Sequence, residues 1–123
     1  MRVLIVDDDS TTAELTAECL MLDPDVSART AGDGATALRA LTEFDPDVIL
    51  LDLELPDESG LDLAPRFKGM NPGRAPRIIL FTGSAQGDAP FLPDGIDAWL
   101  TKPVNLDTLL DCICRPTGGG RML

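Results

Sequence analysis

VLIVDDDS, residues 3–10, is the stretch that decides the fold. Four apolar residues in a row, Val3 to Val6, are too few for a helix and too uniformly greasy for a strand with one wet face. They read as a strand buried on both faces, the signature of a parallel sheet. The run then stops in three consecutive carboxylates, Asp7, Asp8 and Asp9. Adjacent negative charges repel, so their place at the tip of a buried strand needs a reason.

Similar runs recur outward from this one: Val48–Leu51, Ile78–Phe81, the weaker Ala98–Leu100, and a fifth strand pattern at Val26–Thr30. Helical patterns lie between them. From Ser10 to Leu22, Ala13, Leu15, Ala17, Cys19, Leu20 and Leu22 form a wide apolar stripe. Either Asp9 or Thr11 could cap its start, the latter paired with Glu14. From Gly34 to Phe44, the residues Ala37, Leu38, Leu41 and Phe44 share a face. Gly60–Lys68 is a shorter helix weakened by Pro65. From Asn105 to about Cys114, Leu106, Leu109, Leu110 and Ile113 recur at helical spacing. Strands alternating with helices predict right-handed βαβ units and a doubly wound α/β sheet.

Length and composition agree. The chain has 123 residues, enough for one core, and 44% of them are hydrophobic, which is ordinary for a folded domain. Residues 1–115 form the predicted domain and 116–123 a flexible tail without pattern. No signal peptide and no run of roughly 20 apolar residues is present, so a cytoplasmic location is expected. A net charge of −11 argues against direct contact with nucleic acid or an anionic membrane and suits a cation or a basic partner. Cys19, Cys112 and Cys114, with no histidine in the chain, are expected to be buried free thiols, not metal ligands or a disulfide framework.

In open α/β sheets the functional groups collect at the carboxyl ends of the strands. Those ends carry Asp7, Asp8 and Asp9, then Asp52, then Thr82, Gly83 and Ser84, and finally Lys102. Taken singly, each is an ordinary cap, turn or surface residue. Together they form an acid cluster, a lone acid, a hydroxyl and a lysine along one edge. Carboxylates from two strand ends invite a hard divalent cation such as Mg²⁺, which shares its coordination with phosphate oxygens. Asp7 and Asp8 are the better placed ligands, and Asp9 the better placed helix cap. A phosphoryl group on Asp52 would be paired by Lys102 and Thr82, with Gly83 leaving room beside it.

This ordered set resembles the response-regulator receiver domains of two-component signalling, chemotaxis regulators among them, over residues 1 to about 115. VDDD carries the family's acidic pair as Asp7 and Asp8, and LLDLELPDESG its phosphorylation-site stretch. The resemblance implies a flavodoxin-like five-stranded parallel sheet in the order 2-1-3-4-5. It implies Asp52 as phospho-acceptor, Mg²⁺ held by Asp7, Asp8, Asp52 and the Glu54 backbone carbonyl, and Thr82 and Trp99 as the switch pair. Tyr or Phe is more usual at the Trp99 position. A cis bond at Pro103 is also implied. The donor would be a sensor histidine kinase or a histidine phosphotransfer protein, and the output would pass through contacts with an unknown protein effector. Glu54 and Ser84 would line the approach to the acceptor.

The main departure is SAQGDAPFLPDGID at residues 84–97, where the family has its fourth helix. Gly87, Pro90 and Pro93 predict a loop or one short turn instead. Phe91 and Leu92 are expected to pack back on the sheet. Two other readings stay open: a receiver-like module that is never phosphorylated, and a small phosphohydrolase of the haloacid-dehalogenase kind. The second would want Asp-x-Asp, where this chain has Asp52-Leu53-Glu54.

Overall fold

A computed structural model describes residues 1–56, 58–70, 72–83, 92–102 and 105–114, without the side chains of Pro72 and Cys114. Its elements run β1 (Arg2–Val6), α1 (Ser10–Leu20), β2 (Ser27–Ala31), α2 (Gly34–Phe44), β3 (Val48–Leu51), α3 (Gly60–Met70), a 3₁₀ turn (Pro72–Arg74), β4 (Arg77–Thr82), β5 (Ala98–Thr101) and α4 (Leu106–Cys114). All strand pairs are parallel, and the order across the sheet is β2-β1-β3-β4-β5.

The alternation of side chains along each strand divides the core into two layers. Leu4, Val6, Ile49, Leu51, Ile78 and Leu80 face α2 and α3 and pack on Ala37, Ala40, Leu63, Ala64 and Phe67. Val3, Ile5, Val48, Leu50 and Ile79 face α1 and α4 and pack on Ala13, Ala17, Leu20, Leu109 and Ile113. Such double coverage is why β1 and β3 read as unbroken apolar runs.

Helix starts follow their caps. The Asp9 carboxylate accepts from the Thr12 amide, and Asp33 accepts from the Thr36 amide at 2.8 Å. Both carboxyls are held below the usual range, chiefly by those bonds. Asn105 caps α4 by accepting from the Thr108 amide at 2.7 Å. Removing that acceptor leaves an orphan amide at the helix start, so Asn105→Ala is expected to cost about 1 kcal/mol, read as a lower thermal midpoint.

Four expectations change. The inward stripe of α1 is narrow, Ala13, Ala17 and Leu20, and the helix stops at Leu20. Leu15, Cys19 and Leu22 therefore face outward. Cys19 is an exposed free thiol, whereas Cys112 is buried as expected. Second, β2 starts one residue later than predicted, because Val26 is buried in the turn ahead of the strand. Third, α3 continues through Pro65 to Met70, because Leu63, Ala64 and Phe67 are fully buried against the sheet and packing outweighs the lost amide.

The fourth concerns the segment before β5. Residues 84–91, and with them Ser84 and Phe91, lie outside the described residues, as do Pro103 and the tail at 116–123. Residues 92–97 are described and contain a turn at Asp94–Gly95 but no helix. Leu92 is exposed and does not pack back. Ile96 takes the core position instead. Gly95, with φ +83°, lies so close to α3 that a Cβ would sit 3.0 Å from backbone atoms of Ala64 and Pro65. Asp97 then ties the start of β5 down, accepting from the Ile78 amide at 2.8 Å and from Lys68 at 2.6 Å. Among the described residues, no helix is long and apolar enough to cross a membrane.

Candidate functional site

The end of β1 brings Asp7 inward and leaves Asp8 exposed, as the two-residue strand period requires. Asp52 follows β3, the neighbour of β1, and its amide donates to the Val6 carbonyl at 2.9 Å. That register sets the acids side by side. Asp7, Asp8 and Asp52 each offer a carboxylate oxygen within 4.8 Å of the others. Thr82 closes β4, the next strand, and is buried. Lys102 follows β5, with its amide donating to the Thr82 carbonyl at 2.7 Å.

Each carboxylate has a distinct environment. Asp7, 5% exposed, accepts from the Lys102 ammonium at 2.8 Å on one oxygen and from the Asp9 amide at 2.9 Å on the other. Asp52 is half-buried. Burial, and then the neighbouring charge of Asp7, push its carboxyl above the usual carboxylate range. Lys102, the Glu54 amide and the Thr82 hydroxyl pull the other way without prevailing. The three acids form a patch of concentrated negative charge for which Lys102 supplies partial relief. Oxygen donors of this number and hardness fit a Mg²⁺ ion.

The loop from Asp52 into α3 is tightly closed. Glu54 and Ser59 form an isolated antiparallel bridge, and the Gly60 amide donates to the Leu53 carbonyl at 2.7 Å. At Gly60 the chain passes so near β3 that a Cβ would lie 2.3 Å from the Asp52 carbonyl oxygen. Glu54 itself is exposed beside Asp52. At Gly83 a Cβ would meet nothing within 4 Å among the described residues. Trp99, in β5, is half-buried and packs on the α2–α3 side of the sheet.

Thus Asp7, Asp8, Asp52, Thr82 and Lys102 converge on one edge, although Asp7 and Lys102 are 95 positions apart. One neighbour was not legible beforehand. Phe81 faces the layer opposite to Thr82, and the Lys102 ammonium lies over its ring, 5.1 Å from the centroid. The available signal was the two-residue period of β4 together with the pairing of β4 and β5, which turns Phe81 toward the α4 side.

Comparison with known proteins agrees with this geometry. The family described as the response regulator receiver domain matches residues 3–114. TcrX of Mycobacterium tuberculosis, named a "probable transcriptional regulatory protein", is 34% identical over 121 residues, covering 96% of this chain and 51% of that protein. The chain therefore spans about half the length of such curated relatives. A CheY-like receiver domain from Methanospirillum hungatei JF-1 superposes with a TM-score of 0.79 at 31% identity, covering 91% of this chain and 89% of the other. TrrA of Thermotoga maritima, solved in complex with Mg²⁺-BeF, gives 0.77 at 28% identity, covering 91% and 95%. With that fold and strand-end acid cluster, the chain belongs to the response-regulator receiver domain family.

Proposed function

We propose that this chain is a phosphorylation-dependent signalling switch in which Asp52 accepts a phosphoryl group. The observation that carries the reading is the acid cluster of Asp7, Asp8 and Asp52, flanked by buried Thr82 and by Lys102. Residues 1–115 form the working unit in this reading. The donor is a phosphohistidine on a sensor kinase or phosphotransfer protein, and the output passes to a protein effector. An Asp52 carboxylate oxygen attacks phosphorus, the phosphorus–nitrogen bond of the donor breaks with its electron pair staying on nitrogen, and an acyl phosphate results.

Asp7, Asp8, Asp52 and the Glu54 backbone carbonyl would hold Mg²⁺. When bound, that ion neutralises the clustered acids and a share of the phosphoryl charge. The chain's own residues do the rest by position. Lys102 pairs its ammonium with a phosphoryl oxygen, exchanging the partner it has in Asp7. The Thr82 hydroxyl, already directed to the Asp52 carboxylate, donates to another. Its displacement toward the phosphoryl group is the local event that Trp99, on the neighbouring strand, registers. Register supports that link, since Thr82 is paired with Thr101, and Trp99, two residues earlier in β5, lies on the same face of the sheet.

Trp99, the single tryptophan, supplies the test. Mg²⁺ followed by beryllofluoride, a mimic of an aspartyl phosphate, is expected to change its fluorescence in two saturable stages, and Asp52→Asn to abolish the second. A folded wild type with no such change, and with no acyl phosphate by intact mass after a small-molecule phosphodonor, would leave a receiver-like module that is never phosphorylated.

A further inference from the structure

We infer that Phe81 is a positioning residue for Lys102: its ring is a second seat for the ammonium, used when the Asp7 carboxylate is engaged elsewhere. The inference rests on the proposed phospho-acceptor reading and names a residue that the reading does not require. Among the described residues, Lys102 reaches back from the end of β5 to an ion-pair partner and a ring partner. One is Asp7, at 2.8 Å. The other is the Phe81 ring face, 5.1 Å from its centroid, inside the roughly 6 Å range in which a ring quadrupole attracts a cation.

The two partners differ in what happens to them as the site is loaded. A cation held by Asp7 withdraws that carboxylate from Lys102 and adds a like charge nearby. The ring is unaffected by either change. It keeps the ammonium at the site's edge, so less freedom is lost when a phosphoryl oxygen arrives.

The ring is itself well anchored. Phe81 packs on the layer that includes Ile5, Ile79 and Leu109. Its remaining surface lines a cavity of about 160 Å³ with Leu15, Cys19, Leu106 and Leu109. An aliphatic residue of similar size would retain that packing but present no quadrupole. The effect is therefore separable from stability.

The test compares Phe81→Leu and Phe81→Tyr with wild type. In the metal-free protein, the Lys102 methylene protons next to the ammonium are expected to show an upfield ring-current shift that Phe81→Leu removes. With saturating Mg²⁺, beryllofluoride affinity read through Trp99 is expected to fall about 2- to 5-fold in Phe81→Leu, the loss that a cation–ring contact of about 0.5–1 kcal/mol predicts. Phe81→Tyr, which keeps a ring face, is expected to stay within twofold of wild type. Equal affinity in Phe81→Leu and wild type, or equal weakening in Phe81→Leu and Phe81→Tyr, overturns the inference. Failure of the wild type itself to bind beryllofluoride counts instead against the phospho-acceptor reading. The ring-current shift then decides the seating of Lys102 alone, and its absence in wild type refutes it.

Discussion

Asp52→Asn is expected to lose phosphoryl acceptance completely and, without metal, to be more stable than wild type at neutral pH. The first half follows from chemistry, because an amide oxygen is a poor nucleophile toward phosphorus and its product has no stable acyl phosphate to accumulate. Intact mass after treatment with a small-molecule phosphodonor and Mg²⁺ reads it directly. A mass increment that persists in Asp52→Asn would place the acceptor elsewhere.

The second half follows from the cause of the raised Asp52 carboxyl, which is burial first and the Asp7 charge second. A carboxyl that titrates higher in the folded than in the unfolded chain binds more protons when folded. Stability therefore falls as pH rises from the ordinary carboxylate value through the raised folded one, and the penalty is complete above it. Asn carries no such penalty. Because Asp52 is only half-buried, solvent screening keeps the gain small, and it is read as a higher thermal midpoint of Asp52→Asn. The gain is expected to shrink as pH is lowered toward the ordinary carboxylate range. Mg²⁺ is expected to reverse the ranking, since a ligand at ten times its dissociation constant adds about 1.4 kcal/mol to a chain that binds it and little to one missing a ligand. Thermal scans at two pH values, with and without Mg²⁺, cover every arm. A wild type already as stable as Asp52→Asn without metal at neutral pH would show that the acids do not strain each other.

Gly60→Ala is expected to cost about 1–3 kcal/mol and to slow phosphoryl acceptance at least tenfold. The added methyl would meet the Asp52 carbonyl oxygen at 2.3 Å, the Asp52 carbonyl carbon at 3.2 Å and Leu51 Cγ at 3.2 Å. Two of these are backbone atoms and cannot rotate away. The start of α3 must lift off β3, which strains the bond from the Gly60 amide to Leu53 and shifts Asp52. Gly69, in the same helix, is the control: a Cβ there meets nothing within 4 Å among the described residues. Gly69→Ala is expected to be neutral or stabilising by up to about 1 kcal/mol. Chemical denaturation and beryllofluoride affinity separate the two variants. Unchanged affinity in Gly60→Ala would show that the acceptor loop tolerates a displaced helix.

Legibility in the sequence varied with the kind of force at work. β3 and α2 have the bounds expected of them, Val48–Leu51 and Gly34–Phe44. One is buried on both faces, and the other is opened by an Asp33 cap and closed by Asp45 in a left-handed conformation at φ 50°. α1 was harder, because its alternating Ala, Leu and Cys residues allow more than one inward face. The sheet accepts the face of small residues, Ala13 and Ala17, which lets the helix lie close to β1 and leaves Leu15 and Cys19 outside. Ile96 escaped notice in a proline-broken stretch, yet it fills the core ahead of β5.

By itself, the sequence determined which residues stand at the strand ends: short apolar runs and turn residues are local signals, and three runs stop at Asp7, Asp52 and Thr82, with Lys102 just past a fourth. Only the tertiary structure decided how those ends meet. The ion pair of Lys102 with Asp7, its seat on Phe81 and the passage of Gly60 over Asp52 all depend on strand neighbours and helix offsets. Contacts between distant positions are set by how the sheet closes its two layers, and no local pattern encodes a distance across it.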